Sequence, residues 1–369
     1  MRSFALAVLA LAVAIPAQNQ GLAFTNGTTG YVDYPNDPTF VPGGGLTAEA
    51  WITYNGALGP GWRFPTILRM DPSPNLATYF LRIEAGQTQT NRLLWWVSTT
   101  SGSYTTTWNF PAGTLSAWTH VAGTYDGSFL RLFVNGAQVA QTAGTGPLLP
   151  TSGVFRIGSG DLSVTGGETW DGEIDEVRIW PFARSAAAIA ATMNLQLHSM
   201  PGEVSTFNLE GITADSSGTN NGTLVGAAAF VANTRPQQTI PWNGLTAYGY
   251  GSGCQSAASL TVNSLANVGN QAFEFVGLRA ATSPLGFLLL GFSALPLPVP
   301  IFGVDVFPDL AGGLLVPVVP NPLGTGAVPV PIPNTPAVQG FGMHVQFAWL
   351  DTCASGFSAS SALATVVVP

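Results

Sequence analysis

Residues 118–127 read Trp118-Thr-His-Val-Ala-Gly-Thr-Tyr-Asp-Gly127, and residues 130–139 read Leu130-Arg-Leu-Phe-Val-Asn-Gly-Ala-Gln-Val139. Polar and apolar side chains alternate along residues 119–125 and 129–134, as expected for half-buried β-strands. Asp126-Gly127 and Asn135-Gly136 come at the ends of the alternating runs, and both pairs are typical of tight hairpin turns because their residues tolerate positive φ. The two stretches therefore predict consecutive antiparallel strands.

Similar alternating runs lie upstream, each bounded by Gly, Pro or Asn, at residues 47–54, 78–84 and 92–99. The chain of 369 residues contains 44 Gly and 28 Pro, a composition that disfavours long helices and favours short strands joined by turns. We predict one short helix, Ser185–Met193, in which Ser185 caps an Ala-rich segment. The sequence therefore predicts an all-β fold.

Charged residues make up 8% of the chain, against roughly 25% in ordinary soluble domains. All eleven basic residues are Arg, and the net charge is −8. Because no basic face is available to bind a phosphate backbone, we exclude nucleic acid as a partner. The most apolar later stretch, residues 284–302, is interrupted by Pro296, Pro298 and Pro300 and is a poor membrane helix, so we expect no membrane insertion.

Residues 1–17 have the pattern of a signal peptide: one positive charge, an apolar run over residues 4–15 and small residues at the cleavage site. A buried N-terminal strand is the alternative. Export predicts a secreted protein that is extracellular or lies at the cell surface. In that oxidising compartment the two cysteines, Cys254 and Cys353, can form a disulfide.

Length and composition predict two domains, residues 18–235 and 236–369. The first half carries most of the charges and eight of the ten Trp. The second half shows short apolar strands and suggests a smaller β-sandwich. Prolines recur there at every second residue, at 296–300 and again at 329–333. This spacing indicates strands that lack donors along one edge, or extended polyproline II loops.

Five blocks carry a resemblance to a known family: Leu22–Gly27 with Tyr31-Val32, Glu49–Ile52, and then Trp118–Gly127, Leu130–Val139 and Gly172–Trp180. In this order they resemble laminin G-like domains of the concanavalin A-like superfamily. The resemblance implies a jelly-roll sandwich of two antiparallel sheets. It also implies a module that binds carbohydrate or protein and is not an enzyme.

The order of the blocks departs from the family pattern. A strand and turn that family members often carry at the start appear here at residues 204–231, which we expect to close the sandwich in a circularly permuted order. A linker or a truncated repeat is the alternative. The segment Tyr248–Cys254 together with Cys353 resembles a C-terminal module of secreted bacterial proteins such as those of planctomycetes. A disulfide would tie the beginning of this module to its end.

The segment Glu173-Ile-Asp175-Glu-Val-Arg178 is similar to the catalytic strand of laminarinase-like glycosidases, but it lacks their second Glu. Retaining hydrolysis needs two neighbouring carboxyl groups. Strand alternation places Glu176 on the face opposite Glu173, so Glu176 is not expected to substitute. The three histidines, including His120, are scattered and indicate no catalytic triad. We therefore expect no enzymatic activity, and a glycoside hydrolase ranks below the binding functions.

Calcium is the cofactor that the resemblance suggests, because Asp175 matches a calcium ligand of the related glycosidases. Asn26 stands where relatives commonly have Asp and is the second candidate ligand. Calcium prefers such oxygen ligands. An ion pair between Asp175 and an Arg, or hydrogen bonds to backbone amides, is the alternative.

Tryptophans provide the candidate binding site. Trp95 and Trp96 are consecutive on a predicted strand and face opposite sides, so one is expected in the core and the other outside. An outward Trp is a natural stacking platform for a sugar ring. Trp62, Trp108 and Tyr104 lie nearby in sequence and could extend it. We therefore expect a secreted, non-catalytic bacterial protein that binds carbohydrate or a cell-surface partner; a structural or attachment component of the cell envelope is the alternative.

Overall fold

The computed structural model describes residues 19–25, 29–43, 45–55, 64–71, 77–84, 91–111, 113–161, 168–197, 199–202, 204–235, 238–239, 243–254, 258–278, 285–352 and 356–369. Residues 1–17, predicted to be a signal peptide, lie outside this part of the chain. Within these ranges the structure is nearly all-β, as predicted. None of the helices in the described ranges is long and apolar enough to cross a membrane.

The strands of the first half are β1 Gln20–Phe24, β2 Gly30–Tyr34, β3 Leu46–Ile52, β4 Thr66–Asp71, β5 Tyr79–Glu84, β6 Arg92–Thr99, β7 Gly102–Asn109, β8 Thr119–Tyr125, β9 Phe129–Val134, β10 Ala137–Ala143, β11 Val154–Ile157, β12 Gly172–Trp180, β13 Leu195–Gln196, β14 Ser205–Phe207, β15 Thr223–Gly226 and β16 Ala229–Ala232. Helix α1, Ala186–Thr192, precedes β13, and Ser185 caps it by accepting a hydrogen bond from the Ala188 N–H at 3.2 Å. The predicted helix is confirmed.

The strands of the second half are β17 Gln238–Thr239, β18 Leu245–Tyr248, β19 Ser252–Gly253, β20 Ser259–Val262, β21 Glu274–Leu278, β22 Gly286–Gly291, β23 Ala294–Ile301, β24 Val304–Pro308, β25 Leu314–Val318, β26 Gly326–Pro329, β27 Gly342–Leu350, β28 Phe357–Ala359 and β29 Ala362–Val366. Two 3-10 helices lie at Pro38–Phe40 and Pro336–Val338.

Two large antiparallel sheets form the first half. The first has the order β10-β9-β8-β3-β12-β1-β16, with β14 also paired to β12, and the second has the order β15-β2-β11-β4-β5-β6-β7. Apolar side chains of both sheets form one large core cluster, to which Trp95, Phe155 and Ile174 contribute fully buried side chains. The chain turns between β9 and β10 at Asn135-Gly136, where both residues have positive φ, as the sequence predicts.

Residues 204–231 complete both sheets. Strand β14 pairs with β12, β15 with β2, and β16 with β1. This segment is therefore part of the first sandwich, as predicted, and the alternative of a linker is wrong.

The second half contains a seven-stranded sheet with the path β18-β29-β27-β22-β25 and the side pair β19-β28, a three-stranded sheet β20-β21-β26 and the hairpin β23-β24. Its core cluster also includes Trp180, Phe182 and Leu197 from the first half. The first set of prolines lies in a strand, as one of the two alternatives predicted, whereas Pro331 and Pro333 follow the end of β26. Pro296, Pro298 and Pro300 lie within β23, and the N–H groups of Val330 and Ile332, which alternate with the second set of prolines, donate to Phe273 and Asn270 carbonyls at 2.9 Å.

Candidate functional site

The candidate binding surface lies on the outer face of the seven-stranded sheet of the first half. Strands β5 and β6 alternate regularly, so Leu81 and Trp95 point into the core while Phe80 and Trp96 point outward. Trp95 is fully buried, and Trp96 is partly exposed. The predicted division of Trp95 and Trp96 between core and exterior is therefore confirmed.

Trp96 is held flat against a neighbouring ring. Phe80 lies directly opposite Trp96 across β5 and β6, and the two rings stack with centroids 5.5 Å apart and planes 10° apart. The Trp96 Nε1–H donates to Ser98 Oγ at 3.0 Å. Because its ring has a packed face and a fixed nitrogen, Trp96 is presented with little conformational freedom to lose on binding.

Two guanidinium groups lie beside Phe80, one ring of the stack. The Arg82 guanidinium lies 4.4 Å from the Phe80 ring centroid and 4.5 Å from that of Phe64, and the Arg69 guanidinium lies 5.7 Å from Phe80. At these distances the cations attract the ring faces. The arginines thus fix the apolar pair and bring hydrogen-bond donors beside it.

Two carboxylates link these arginines into a chain of alternating charges. Glu168 contacts Arg69 at 3.2 Å and Arg82 at 3.8 Å, and Glu84 contacts both Arg82 and Arg92 at 2.5 Å. The Arg92 side chain is 40% exposed, which makes it the most accessible member of the chain. Its N–H groups can therefore reach a ligand from solution.

Hydroxyl groups of β7 complete the surface. Thr105 lies opposite Trp96, and Thr107 lies opposite Leu94, so both threonines share the outer face. Thr107 is exposed and Thr105 is partly exposed. We call the set Phe80, Arg82, Arg92, Trp96, Thr105 and Thr107 the Trp96 platform. It combines an aromatic face with donors and acceptors, the combination that a pyranose ring requires.

Tyr104 and Trp108 do not belong to this platform. They lie opposite Val97 and Leu93, two core residues, and pack against the main core from the other face of β7. The Tyr104 hydroxyl lies 3.1 Å from Thr145 Oγ1. The prediction that Tyr104 and Trp108 extend the Trp96 surface is wrong, because the even-numbered residues of β7 face the core. Trp62 lies outside the described residues.

Asp175, the predicted calcium ligand, is buried and paired with a cation. Its carboxylate accepts hydrogen bonds from Arg235 Nε at 2.8 Å, Asn233 Nδ2 at 3.2 Å and the Glu176 N–H at 2.7 Å. Among the described residues no group of three or more His, Cys, Asp or Glu side chains could hold a metal ion. Asn26 lies outside the described residues, so a calcium site stays a prediction.

A bulge overturns the expected direction of Glu176. The register of β12 against β3 shifts between Asp175 and Arg178, and Glu176 has a φ of 48°. As a result Asp175 and Glu176 do not point to opposite faces of β12, as strand alternation would require. Both carboxylates contact Arg235, Asp175 at 2.8 Å and Glu176 at 3.5 Å. Burial raises the pKa of Glu176 to about 7, against the lowering effect of Arg178. Both acids are inaccessible to a polymer in solution.

A buried ionic network on the eight-stranded sheet was not predicted. Glu49 accepts hydrogen bonds from Arg184 Nη1 at 2.9 Å on both oxygens and from Trp180 Nε1 at 3.0 Å. Burial alone would raise the pKa of Glu49, but the charges of Arg184, His120 and Arg178 outweigh it and hold that pKa below its usual value. The available signal was a charged residue within the apolar run Leu46–Ile52.

Trp118 is partly exposed and precedes β8, so it lies outside that strand. Trp51 on β3 and Trp180 on β12 are buried.

Comparison with known proteins agrees with the sheet architecture. Residues 26–190 match the laminin G type model of the concanavalin A-like lectin/glucanases superfamily. This part of the chain has the concanavalin A-like fold. The match supports the predicted resemblance to laminin G-like domains, whereas the resemblance of the C-terminal residues to a planctomycete-type module stays a prediction.

Several solved structures resemble part of the chain. A candidate carbohydrate binding protein from Bacteroides ovatus is 21% identical, with 60% of this chain and 62% of that chain covered and a TM-score of 0.45. A SAP-like pentraxin from Limulus polyphemus is 15% identical over 48% of this chain and 83% of that chain, with a TM-score of 0.36. The CBM40 of Ruminococcus gnavus IT-sialidase, bound to α2,3 sialyllactose, is 16% identical over 47% and 96%, with a TM-score of 0.35.

Among curated proteins, Pappalysin-1 of Mus musculus is 33% identical over 88 residues, and that of Homo sapiens is 36% identical over 81 residues. The matches cover 22% and 21% of this chain. The chain spans about 5% of the length of these relatives.

Proposed function

We propose that this chain is a non-catalytic binding protein that recognises carbohydrate through the Trp96 platform. The observation that carries the proposal is the stack of a partly exposed Trp96 on Phe80, with Arg92, Thr105 and Thr107 on the same face. A rigid aromatic face packs against the C–H side of a sugar ring, and the neighbouring N–H and O–H groups can pair with its hydroxyls.

The carboxylates support a role in binding without catalysis. Glycoside hydrolysis needs an acid and a second carboxylate that both reach the scissile bond. On the motif that resembles a hydrolase strand, Asp175 and Glu176 are buried and contact Arg235. On the platform, Glu84 accepts hydrogen bonds from Arg82 and Arg92. Because these carboxyl groups are buried or held by Arg side chains, they are not free to reach a scissile bond.

We also infer that the protein is exported and carries a disulfide between Cys254 and Cys353. The N-terminal sequence supports export. The Cys254 N–H donates to the Phe357 carbonyl at 3.1 Å, which places Cys254 beside the segment that follows residue 353. Cys353 itself lies outside the described residues.

A glycan array followed by titration calorimetry tests the proposed function. The wild-type protein should bind at least one glycan, and Trp96→Ala should weaken that binding by roughly 30-fold, as expected when a central aromatic worth about 2 kcal/mol is truncated. Trp118→Ala is the matched control, since Trp118 is also partly exposed but lies outside the platform. Equal glycan affinity of wild type and Trp96→Ala would refute the proposal.

A further inference from the structure

An apolar cavity lies in the C-terminal half, between the hairpin β23-β24 and the face of that half's seven-stranded sheet. Its volume is about 310 Å³, and every residue that lines it is apolar. Leu289 and Ala348 form part of its buried floor, and Ile301, Phe302 and Leu315 lie at its solvent side. The cavity is therefore a pocket without hydrogen-bonding groups.

Phe302, at the tip of the hairpin, has an unfavourable backbone conformation and an exposed apolar side chain. Phe302 and Gly303 have φ values of 47° and 76° and connect the paired residues Ile301 and Val304, which is the geometry of a two-residue hairpin turn. Asn usually occupies the first of these positions, because a bulky side chain is strained at positive φ. The Phe302 side chain is also 75% exposed. Strain and exposure at one residue point to a functional role.

The prolines of β23 make the free edge of the hairpin a poor partner for a strand from another chain. Strand β23 pairs with β24 through Val299 and Ile301, and the intervening Pro300 lies opposite Asp305. Since successive N–H groups point to opposite edges, Pro300 occupies a position whose donor would face away from β24. A strand added to that edge would find no donors at Pro296, Pro298 and Pro300.

Charge also limits the occupant. After residue 236 the sequence contains one basic residue with a permanent charge, Arg279, and it lies outside the described residues. Every residue that lines the pocket is apolar, so an anionic head group would lose its hydration there without gaining a counter-charge, and a sugar would leave its hydroxyls without partners. Complementarity therefore favours an uncharged apolar molecule.

We propose that this pocket binds a small, uncharged, hydrocarbon-rich molecule, with Phe302 covering the bound ligand. An apolar cavity of about 150 Å³ suffices for one benzene ring, so a cavity roughly twice as large accommodates a molecule of two rings or a short aliphatic chain. This site is separate from the Trp96 platform and does not depend on carbohydrate binding.

Fluorescence titration of the full chain with N-phenyl-1-naphthylamine, an uncharged two-ring probe, tests the proposal. The wild type should show saturable binding of one probe per chain. Ala348→Leu, which fills the pocket, should weaken binding at least tenfold. Phe302→Asn should weaken binding and at the same time raise the thermal midpoint, because Asn suits positive φ; a purely structural Phe302 would make this variant less stable. Phe341→Ser, which changes another exposed aromatic residue outside the pocket, should bind as the wild type does.

Four results would overturn the proposal: no saturable binding, unchanged binding in Ala348→Leu, equal loss in Phe341→Ser, or a lowered midpoint in Phe302→Asn. Sedimentation equilibrium and flotation with phosphatidylcholine vesicles examine the competing occupants. A dimer or a vesicle complex that Phe302→Asn abolishes, in the absence of probe binding, would assign the surface to a second copy or to a membrane instead.

Discussion

Replacing Glu49 with Gln removes the charge at the centre of the buried ionic network while keeping the size of the side chain. Both oxygens of Glu49 accept from Arg184 Nη1 at 2.9 Å, and Arg178 Nη1 lies 3.5 Å away. The side chains of Glu49 and Arg184 are 0% exposed. The amide of Gln would leave the Arg184 charge buried without its anion.

The structure gives the magnitude of this effect. Breaking a buried ion pair by neutralising one partner costs about 3–5 kcal/mol, because the remaining charge is not solvated. A partly exposed pair costs about 1 kcal/mol or less. Asp126→Asn is the matched acid-to-amide control: the Asp126 and Arg131 side chains are 26% and 25% exposed. We therefore expect a difference of several kcal/mol between the two variants.

Urea unfolding, followed in parallel by tryptophan fluorescence and far-UV circular dichroism, measures the free energy of unfolding. Arg184 Nε also donates to the Asn263 carbonyl at 2.9 Å, so the network joins the first half of the chain to the second. Both probes should therefore report destabilisation in Glu49→Gln. A loss below about 1 kcal/mol, equal to that of Asp126→Asn, would refute the reasoning.

Three further predictions concern a buried carboxyl group, a glycine in the core and the two cysteines. Burial raises the pKa of Glu176 to about 7 from an ordinary 4.5, so between these pH values the native state binds a proton that the unfolded state releases. The ionisation of Glu176 therefore lowers the free energy of unfolding as pH rises from about 4.5 to 7. Glu176→Gln should remove that pH dependence and should be more stable than wild type by on the order of 1–3 kcal/mol above pH 7, as measured by urea titrations. Gly123→Ala should lose about 1–3 kcal/mol or fail to fold, because the new Cβ would lie 2.6 Å from Trp95 Cε3. Peptide mapping without reductant should recover Cys254 linked to Cys353, and reduction should lower the thermal midpoint, since closing a loop of about 100 residues contributes roughly 4–5 kcal/mol in the chain-entropy model.

The first two of these predictions have control variants. His120, whose pKa burial lowers to about 4, contributes stability that is lost as pH falls below 6.5, so His120→Gln should change the pH dependence with the opposite sign. Gly43→Ala places its Cβ where no atom lies within 4 Å and should be nearly neutral. A pH slope unchanged in Glu176→Gln, a stable Gly123→Ala or two free thiols in the denatured, unreduced protein would contradict the respective prediction.

The sequence predicted the strands and the division of Trp95 from Trp96 because a period of two holds wherever a strand is regular. It failed at Glu176, where a bulge breaks that period. It also failed at Tyr104 and Trp108, because which parity of β7 faces the core depends on its register with β6, and composition does not encode that register.

The ionic network could not be predicted because its partners are distant in sequence. Glu49 and Arg184 are 135 residues apart, and Arg235 reaches Asp175 across 60 residues. Glu49 stands out within the apolar run Leu46–Ile52, but the residues around Arg184 and Arg235 do not indicate a buried carboxylate partner. Only the pairing of β3 with β12 and the position of α1 bring them together.

The most direct test of the central claim is a crystal structure of the protein with the oligosaccharide that binds most tightly on the array. The account predicts a sugar ring stacked on the open face of Trp96, with its hydroxyls within hydrogen-bonding distance of Arg92 and of Thr105 or Thr107. A sugar bound at any other surface, with Trp96 uncovered, would contradict it.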